Sequence, residues 1–220
     1  MTFQIAIDGP AGAGKSTMAK ILSKKYEAIY LDTGAMYRAV GLKAVKMKVD
    51  TKDENALNNI IKDINIKIAF VNGAQVIYLD EEDVTNQIRT PQISIAAANV
   101  AIFISVRLKM VEMQREIAAD NNVVMDGRDI GTYVLPNAQY KFYLVADVRE
   151  RAKRRVLELK EQNINVAIEK IVEDMKYRDK NDSNRAFAPL SQAKDAILID
   201  TTNLNITQVI DVMIGYINEK

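Results

Sequence analysis

The chain contains neither cysteine nor histidine. Without thiols there are no disulfides, no thiolate zinc sites and no cysteine nucleophiles. Without imidazole the usual general base and the commonest transition-metal ligand are both missing, which closes serine-histidine triads and most zinc chemistry. Catalysis, if there is any, runs on Lys, Arg, Asp and hydroxyl groups. Neither sign of charge is in excess: 30 basic residues face 29 acidic ones, a net charge of +1. No overall field therefore recruits a nucleic acid or a membrane surface, and base-stacking aromatics are not clustered. The N-terminus lacks a basic leader region, and Asp8 interrupts the first apolar run, so a secretory signal is not expected. The longest uncharged stretch, Thr90 to Val106, carries Gln92, Ser94, Asn99 and Ser105. It is short for a spanning helix and reads as a buried helix of a soluble protein. The expectation is a cytoplasmic protein with no nucleic-acid and no membrane partner. Its 220 residues suit one domain, or one domain carrying an insertion.

What is present begins at residue 9. Gly9-Pro10-Ala11-Gly12-Ala13-Gly14-Lys15-Ser16 is a complete G-x-x-x-x-G-K-S phosphate-binding loop. It lies between a predicted strand, Phe3–Asp8, and a predicted helix, Lys15–Tyr26. Glycine-rich backbone of this kind points successive N–H groups at a polyphosphate, and the following helix adds the positive end of its dipole. Lys15 is expected to reach the β- and γ-phosphates of a nucleoside triphosphate, and the Ser16 hydroxyl to ligate Mg²⁺.

Short apolar runs alternate with amphipathic segments along the chain, the pattern of an α/β fold with a parallel sheet. Further strands are predicted at Ala28–Leu31, Val123–Asp126, Lys141–Ala146 and Ile197–Asp200. Further helices are predicted at Gly34–Lys48, Glu54–Ile61, Pro91–Ala119, Val148–Gln162, Val166–Lys180 and Thr207–Asn218. Runs at Ile66–Val71 and Gln75–Leu79 flank an Asn72-Gly73 pair, a hairpin signal. An antiparallel β patch is therefore expected to interrupt the parallel core.

Four other segments carry chemistry. Asp32-Thr33-Gly34-Ala35-Met36-Tyr37-Arg38 follows the second strand, where ligands of open α/β sheets bind; it also reads as a capped helix start with a surface arginine. Val123 to Asp129 is a β-branched strand ending in acids, so Asp126 is the candidate Mg²⁺-ordering carboxylate, with Arg128 and Asp129 beside it. Arg151, Arg154 and Arg155 share one helix face, as a solvated surface or as a lid that neutralises a transferring group. Arg178 and Asp182, four residues apart, are placed either to pair or to contact a ligand.

With these segments in hand, the chain resembles the cytidylate kinases, the bacterial type of CMP/dCMP kinase among the nucleoside monophosphate kinases. The carriers are Ile7 to Ser16, Leu31-Asp-Thr-Gly-Ala-Met-Tyr-Arg38, Met125-Asp-Gly-Arg-Asp-Ile-Gly-Thr132 and Asn184-Arg-Ala-Phe-Ala-Pro-Leu190, in the family's order and across nearly the whole chain. The resemblance implies a single P-loop NTPase-type kinase domain over residues 1–220. Its parts are a five-stranded parallel sheet flanked by helices, a monophosphate-binding insertion at about 34–105 and a mobile lid at about 149–165. It implies transfer of a phosphoryl group from ATP, with Mg²⁺, to CMP or dCMP by a monomer. Residues Gly9 to Thr17 and Arg154 would hold the donor. Lys15, Arg128, Arg151 and Arg155 would act on the transferring group, and Ser16 and Asp126 on the metal. Thr33, Arg38, Arg128 and Arg185 would take the acceptor phosphate, Arg178 and Asp182 its sugar, and Arg107 and Asp129 the cytosine edge. The residues alone leave open another small-molecule kinase of this fold or a nucleotide-dependent switch, though no N-K-x-D guanine-reading motif occurs.

One departure stands out: where the family places a serine against cytosine, this chain has Ala98. Ala98→Ser is expected to raise the CMP-over-UMP ratio of kcat/KM. An unchanged ratio means that a neighbour or a water already makes that contact.

Overall fold

The computed structural model describes residues 2–72, 74–161 and 163–219. Five strands form the main sheet: β1 (Gln4–Asp8), β2 (Ile29–Asp32), β6 (Val123–Gly127), β7 (Tyr140–Val145) and β8 (Ile197–Asp200). Their order is β2-β6-β1-β7-β8, and every pairing is parallel. Parallel strands need both faces covered, and the sequence supplies two apolar sets. Ile5, Ile7, Val124, Phe142 and Leu144 pack with α1 (Lys15–Lys25) and α8 (Ile206–Glu219) on one face. Ala6, Leu31, Val123 and Met125 pack with Val111 and Ala118 on the other. The register aligns Asp32 with Asp126 and Asp8 with Gly127, so three acidic side chains end neighbouring strands at one sheet edge.

The expected interruption forms a separate sheet, β3 (Ile66–Val71), β4 (Ala74–Leu79) and β5 (Glu82–Asp83), antiparallel throughout. Asn72 takes φ +51°, as a tight hairpin turn requires; Gly73 of the expected turn lies outside the described residues. With α2 (Thr33–Lys46), α3 (Glu54–Asp63) and α4 (Pro91–Val100) this sheet encloses its own core around Met36, Leu57, Ile77 and Ile88. Side-chain caps start these helices: Asp32 accepts from the Ala35 N–H, Asp53 from Ala56 and Thr90 from Ile93. Gly41 lets α2 approach α4; a Cβ there would stand 3.0 Å from the Ala96 Cβ and the Ala97 nitrogen.

The helix expected from Pro91 to Ala119 is two helices, α4 and α5 (Ile104–Asp120), turned by 102°. No glycine or proline marks the break. Tertiary packing makes it: α4 lies on α2 and on the later helix Ile168–Asn184, whereas α5 continues to the back of the main sheet. Among the described residues no single helix is long and apolar enough to cross a membrane; the bent pair reaches that composition only jointly, and its Ile93, Val100, Val106 and Met110 are core. Further on, α6 (Val148–Glu161) and α7 (Ile168–Asn184) pack on each other through Ala152, Leu159, Ile171 and Met175, a small core of their own. Gln162, expected to end the first of them, lies outside the described residues.

Gly9 leaves β1 at φ +142°, and a Cβ built there would lie 2.0 Å from the Leu144 carbonyl oxygen. Gly9→Ala is therefore expected to lose about 2–5 kcal/mol of stability, read from chemical denaturation of the two proteins. A loss under 1 kcal/mol would show that the loop relaxes away from β7.

Candidate active site

The C-terminal edge of the main sheet opens into a cavity of about 770 Å³, the position that strand order dictates for ligands of open α/β sheets. At one end is the loop after β1. Gly14 starts α1, no side chain caps the first turn and no acid lies in it, so its N–H groups and dipole face the cavity unopposed. Lys15 is buried, and its Nζ donates to the Pro10 carbonyl at 2.7 Å. Burial and the nearby Arg128 push this amine below its usual range, against the pull of Asp126 and Asp182. Ser16 and Thr17 are exposed to the cavity. Gly9 and Pro10 do not line it: Gly9 packs on β7, and Pro10 offers its carbonyl to Lys15.

Asp126 ends β6 under the loop. Its Oδ1 accepts from the Tyr30 hydroxyl at 2.9 Å, its carbonyl accepts from the Thr33 hydroxyl at 2.8 Å, and burial together with Asp32 raises its carboxyl. Asp32 is treated differently by its surroundings. Burial pushes it up, but Arg38 and Arg89 outweigh that and hold it at about 2, Arg89 at 2.7 Å and Arg38 at 3.6 Å. Gln75 of the hairpin clasps the Asp32 backbone, accepting its N–H and donating to its carbonyl.

Between the two ends stands a crowd of guanidinium groups. Arg128 donates to Asp182 at 2.7 Å, and Asp182 also faces Arg185 at 3.8 Å. The Arg178–Asp182 pairing that the spacing allowed is therefore replaced, because Asp182 faces Arg128 and Arg185. Arg178 lines the cavity with its pKa depressed to about 9 by burial and by Arg128, Arg38 and Arg155. That much like charge in one place is what an anion-binding site requires.

Ala97, Ala98 and Ala101 also line the cavity, as do Arg107, Asp129 and Arg185 at its far end. Arg107 is 0% exposed and sits between the rings of Tyr37 and Phe187, 5.6 and 5.9 Å from their centroids. Its Nη2 donates to Asp129, while its Nε and Nη1 have no partner. The other Asp129 oxygen accepts from Arg185 at 3.0 Å.

On the donor side Arg154 donates to the Thr201 hydroxyl and carbonyl, and Arg155 pairs with Glu158 and donates to the Arg89 carbonyl. Arg151 departs from expectation. It is buried off the cavity and donates to the Ala11 and Ala146 carbonyls and to Asp179. Its Nη1 is directed at the loop, its Nη2 at α7 and its Nε at the chain just beyond β7, so it braces the phosphate loop from behind.

Sequence reasoning missed Arg89, Tyr37 and the segment Thr201 to Thr207, all on the cavity. The last had a signal, since it follows the end of β8 at the same sheet edge. Arg89 had none, being brought in by the insertion. Asp32→Asn is expected to cost about 2 kcal/mol at neutral pH. Asp32's folded pKa lies below the ordinary 3.8, so its stabilisation is present above that value and is lost as pH falls through about 2. Acid unfolding of the variant should be correspondingly shallower between pH 4 and 2, and an unchanged acid limb would refute the assignment.

A cytidylate kinase family profile matches residues 5–219. Similar curated proteins include the cytidylate kinase of Caldicellulosiruptor bescii, 50% identical over 206 residues, covering 94% of this chain and 91% of the relative. That of Halalkalibacterium halodurans is 46% identical over 216 residues, 98% and 97% of the two chains. That of Clostridioides difficile is 48% identical over 214 residues, 97% of each. Among solved structures, an uncharacterized protein from Eubacterium ventriosum superposes at a TM-score of 0.53 and 16% identity, covering 100% of both chains, a likeness of fold. On the matched profile, the extent of identity and the parallel sheet with its phosphate loop, this chain belongs to the cytidylate kinase family.

Proposed function

We infer that the chain transfers the γ-phosphoryl group of ATP to CMP or dCMP, giving ADP and CDP or dCDP. The observation that carries this reading is a cavity with two unlike ends. A phosphate loop occupies one, a guanidinium with two unpartnered N–H groups beside a carboxylate occupies the other, and crowded arginines lie between. An acceptor phosphate oxygen is already anionic at neutral pH, so no general base is needed and the absence of histidine costs nothing. The oxygen attacks the γ-phosphorus as the bond to the β-phosphate oxygen breaks. What the protein must supply is alignment and neutralisation of two polyanions.

In this reading residues Ala11 to Thr17 wrap the donor phosphates, Lys15 releases Pro10 for a β- or γ-oxygen, and Arg154 and Leu157 flank the donor side. Arg38, Arg128 and Arg185, with Thr33, hold the acceptor phosphate. Arg178 and Asp182 face its sugar, and Arg155 and Arg128 meet the group in flight. Arg151 acts through the loop and touches no substrate. The donor set suits Mg²⁺, which prefers few protein oxygens plus phosphates and water: an exposed Ser16 hydroxyl and an Asp126 with one oxygen committed to Tyr30. Held by Ser16 and Asp126, such an ion would supply neutralisation of the donor phosphates' charge.

Cytosine matches the far end. Its N4 amino group donates and its O2 and N3 accept, complementary to the Asp129 carboxylate and the free Arg107 N–H groups. Uracil would set a carbonyl against the carboxylate. The separately packed α6–α7 pair supports a lid that closes and excludes water. Family membership supports a monomeric cytoplasmic enzyme.

The test is ADP release from Mg-ATP with CMP, dCMP, UMP, AMP and GMP offered separately to the parent chain and to Asp129→Asn. CMP and dCMP should lead in the parent. In the variant kcat/KM for CMP should fall at least about 100-fold while ATP affinity holds. No stimulation by any monophosphate would overturn the reading, and equal loss of ATP and CMP would remove the base-reading role.

A further inference from the structure

Asp8 is buried at the end of β1, directly before the phosphate loop, and it contacts neither nucleotide-facing surface. Its two oxygens serve a different segment. Oδ1 accepts the backbone N–H of Ile130 at 2.8 Å, and Oδ2 accepts that of Gly131 at 2.7 Å. Those two amides follow Arg128 and Asp129 at once in the chain. They open a π-helical turn, Ile130–Val134, which closes back on the same place: the Asp129 carbonyl accepts from both Tyr133 and Val134. Such turns are rare, and where they occur they commonly aim functional groups.

The fold meets a cost to keep this carboxylate. Burial drives it up to about 7 in spite of both backbone donors and the nearby Lys15. Since the folded value lies above the ordinary 3.8, ionising Asp8 takes stability away as pH rises from about 4 to 7. A capping role alone would be served by an alcohol or by a solvated turn. Gly131 is fitted around it as well, since a Cβ there would stand 3.4 Å from Asp8 Oδ2 and 3.1 Å from the Lys141 side chain.

We propose that Asp8 is a positioning residue that ties the acceptor-binding pair Arg128–Asp129 to the phosphate loop, so that one side chain sets the distance between the two substrates. The β-ladder alone does not do this, because it ends where the two loops begin, at Asp8 opposite Gly127. From there Gly9 leads to the donor and Arg128 to the acceptor. Among the described residues the forked carboxylate is the only link between these loops that engages consecutive amides, and it fixes the turn in orientation as well as place. An amide side chain cannot replace it, for its NH₂ would meet one of the two N–H groups donor to donor.

This assignment rests on the phosphoryl transfer proposed above, and the experiment separates the two. Steady-state kinetics are measured for the parent, Asp8→Asn, Asp129→Asn and the double variant, with ATP affinity and melting temperature alongside. Parent turnover of CMP comes first; without it, the functional reading itself fails. In Asp8→Asn, kcat/KM for CMP is expected to fall about 10–100-fold, with ATP affinity within about 3-fold. In the Asp129→Asn background the same change should cost clearly less than in the parent, because one of the two groups it aims is already gone while Arg128 remains. A loss confined to melting temperature overturns the proposal, as do equal losses for both substrates or penalties that multiply in the double variant. If Asp8→Asn does not accumulate as folded protein, Asp8→Ala, which leaves room for a water between the amides, carries the same comparisons.

Discussion

Arg38 and Arg178 are buried beside Arg128 and Arg155, and that burial and like charge hold both guanidinium groups below their usual range; much of the structure exists to hold these groups together. Aspartates do part of that work. Asp32 anchors Arg38 and Arg89, Asp182 anchors Arg128 and Arg185, and Asp129 anchors Arg107 and Arg185. The pairs are incomplete by design of the geometry: Arg178 is left over, and Arg107 keeps two donor groups free. A polyanion would complete the set. In the proposed transfer, binding energy and transition-state stabilisation would come from the same groups, already desolvated and aimed.

The architecture follows from that need. A parallel sheet brings the ends of β1, β2 and β6 side by side, which suffices for one phosphate site. It does not supply enough cationic side chains for two substrates. The missing ones arrive on two appendages with cores of their own, the insertion bearing Arg38 and Arg89 and the α6–α7 pair bearing Arg154, Arg155 and Arg178. The insertion also lays Ile68 and Phe70 against the apolar set of the main sheet. Between the two appendages the contacts are polar: Arg155 donates to the Arg89 carbonyl, and the Tyr177 hydroxyl donates to Asn99 at 2.7 Å.

How much of this was legible in the sequence depended on how local the cause was. The phosphate loop, the strand ends and the Asn72 turn were readable because backbone geometry dictates residue type within a few positions. The five strands were placed within a residue or two for the same reason. The 102° break between α4 and α5 was not readable: Ala101, Ile102 and Phe103 contain no breaker, and the bend is imposed by the surfaces that each helix must cover. Arg151 was misplaced because helix spacing identifies a face and not what lies opposite it. Three arginines at i, i+3 and i+4 share a stripe, yet one is turned into the loop's carbonyls and two toward the cavity.

By itself the sequence determined the chemistry available: a polyphosphate cradle, no titrating imidazole, and arginines and aspartates as the working groups. Short-range rules carry that information, since a glycine-rich turn or a strand ending in an acid states its own conformation. Only the tertiary structure decided which charges meet. Asp182 faces Arg128, 54 residues away, and not Arg178 four residues away. Asp8 holds amides 122 and 123 residues further on. Arg89 reaches the site from an insertion. Such pairings depend on the packing of whole elements, and a buried carboxylate takes whichever donors that packing brings within 3 Å.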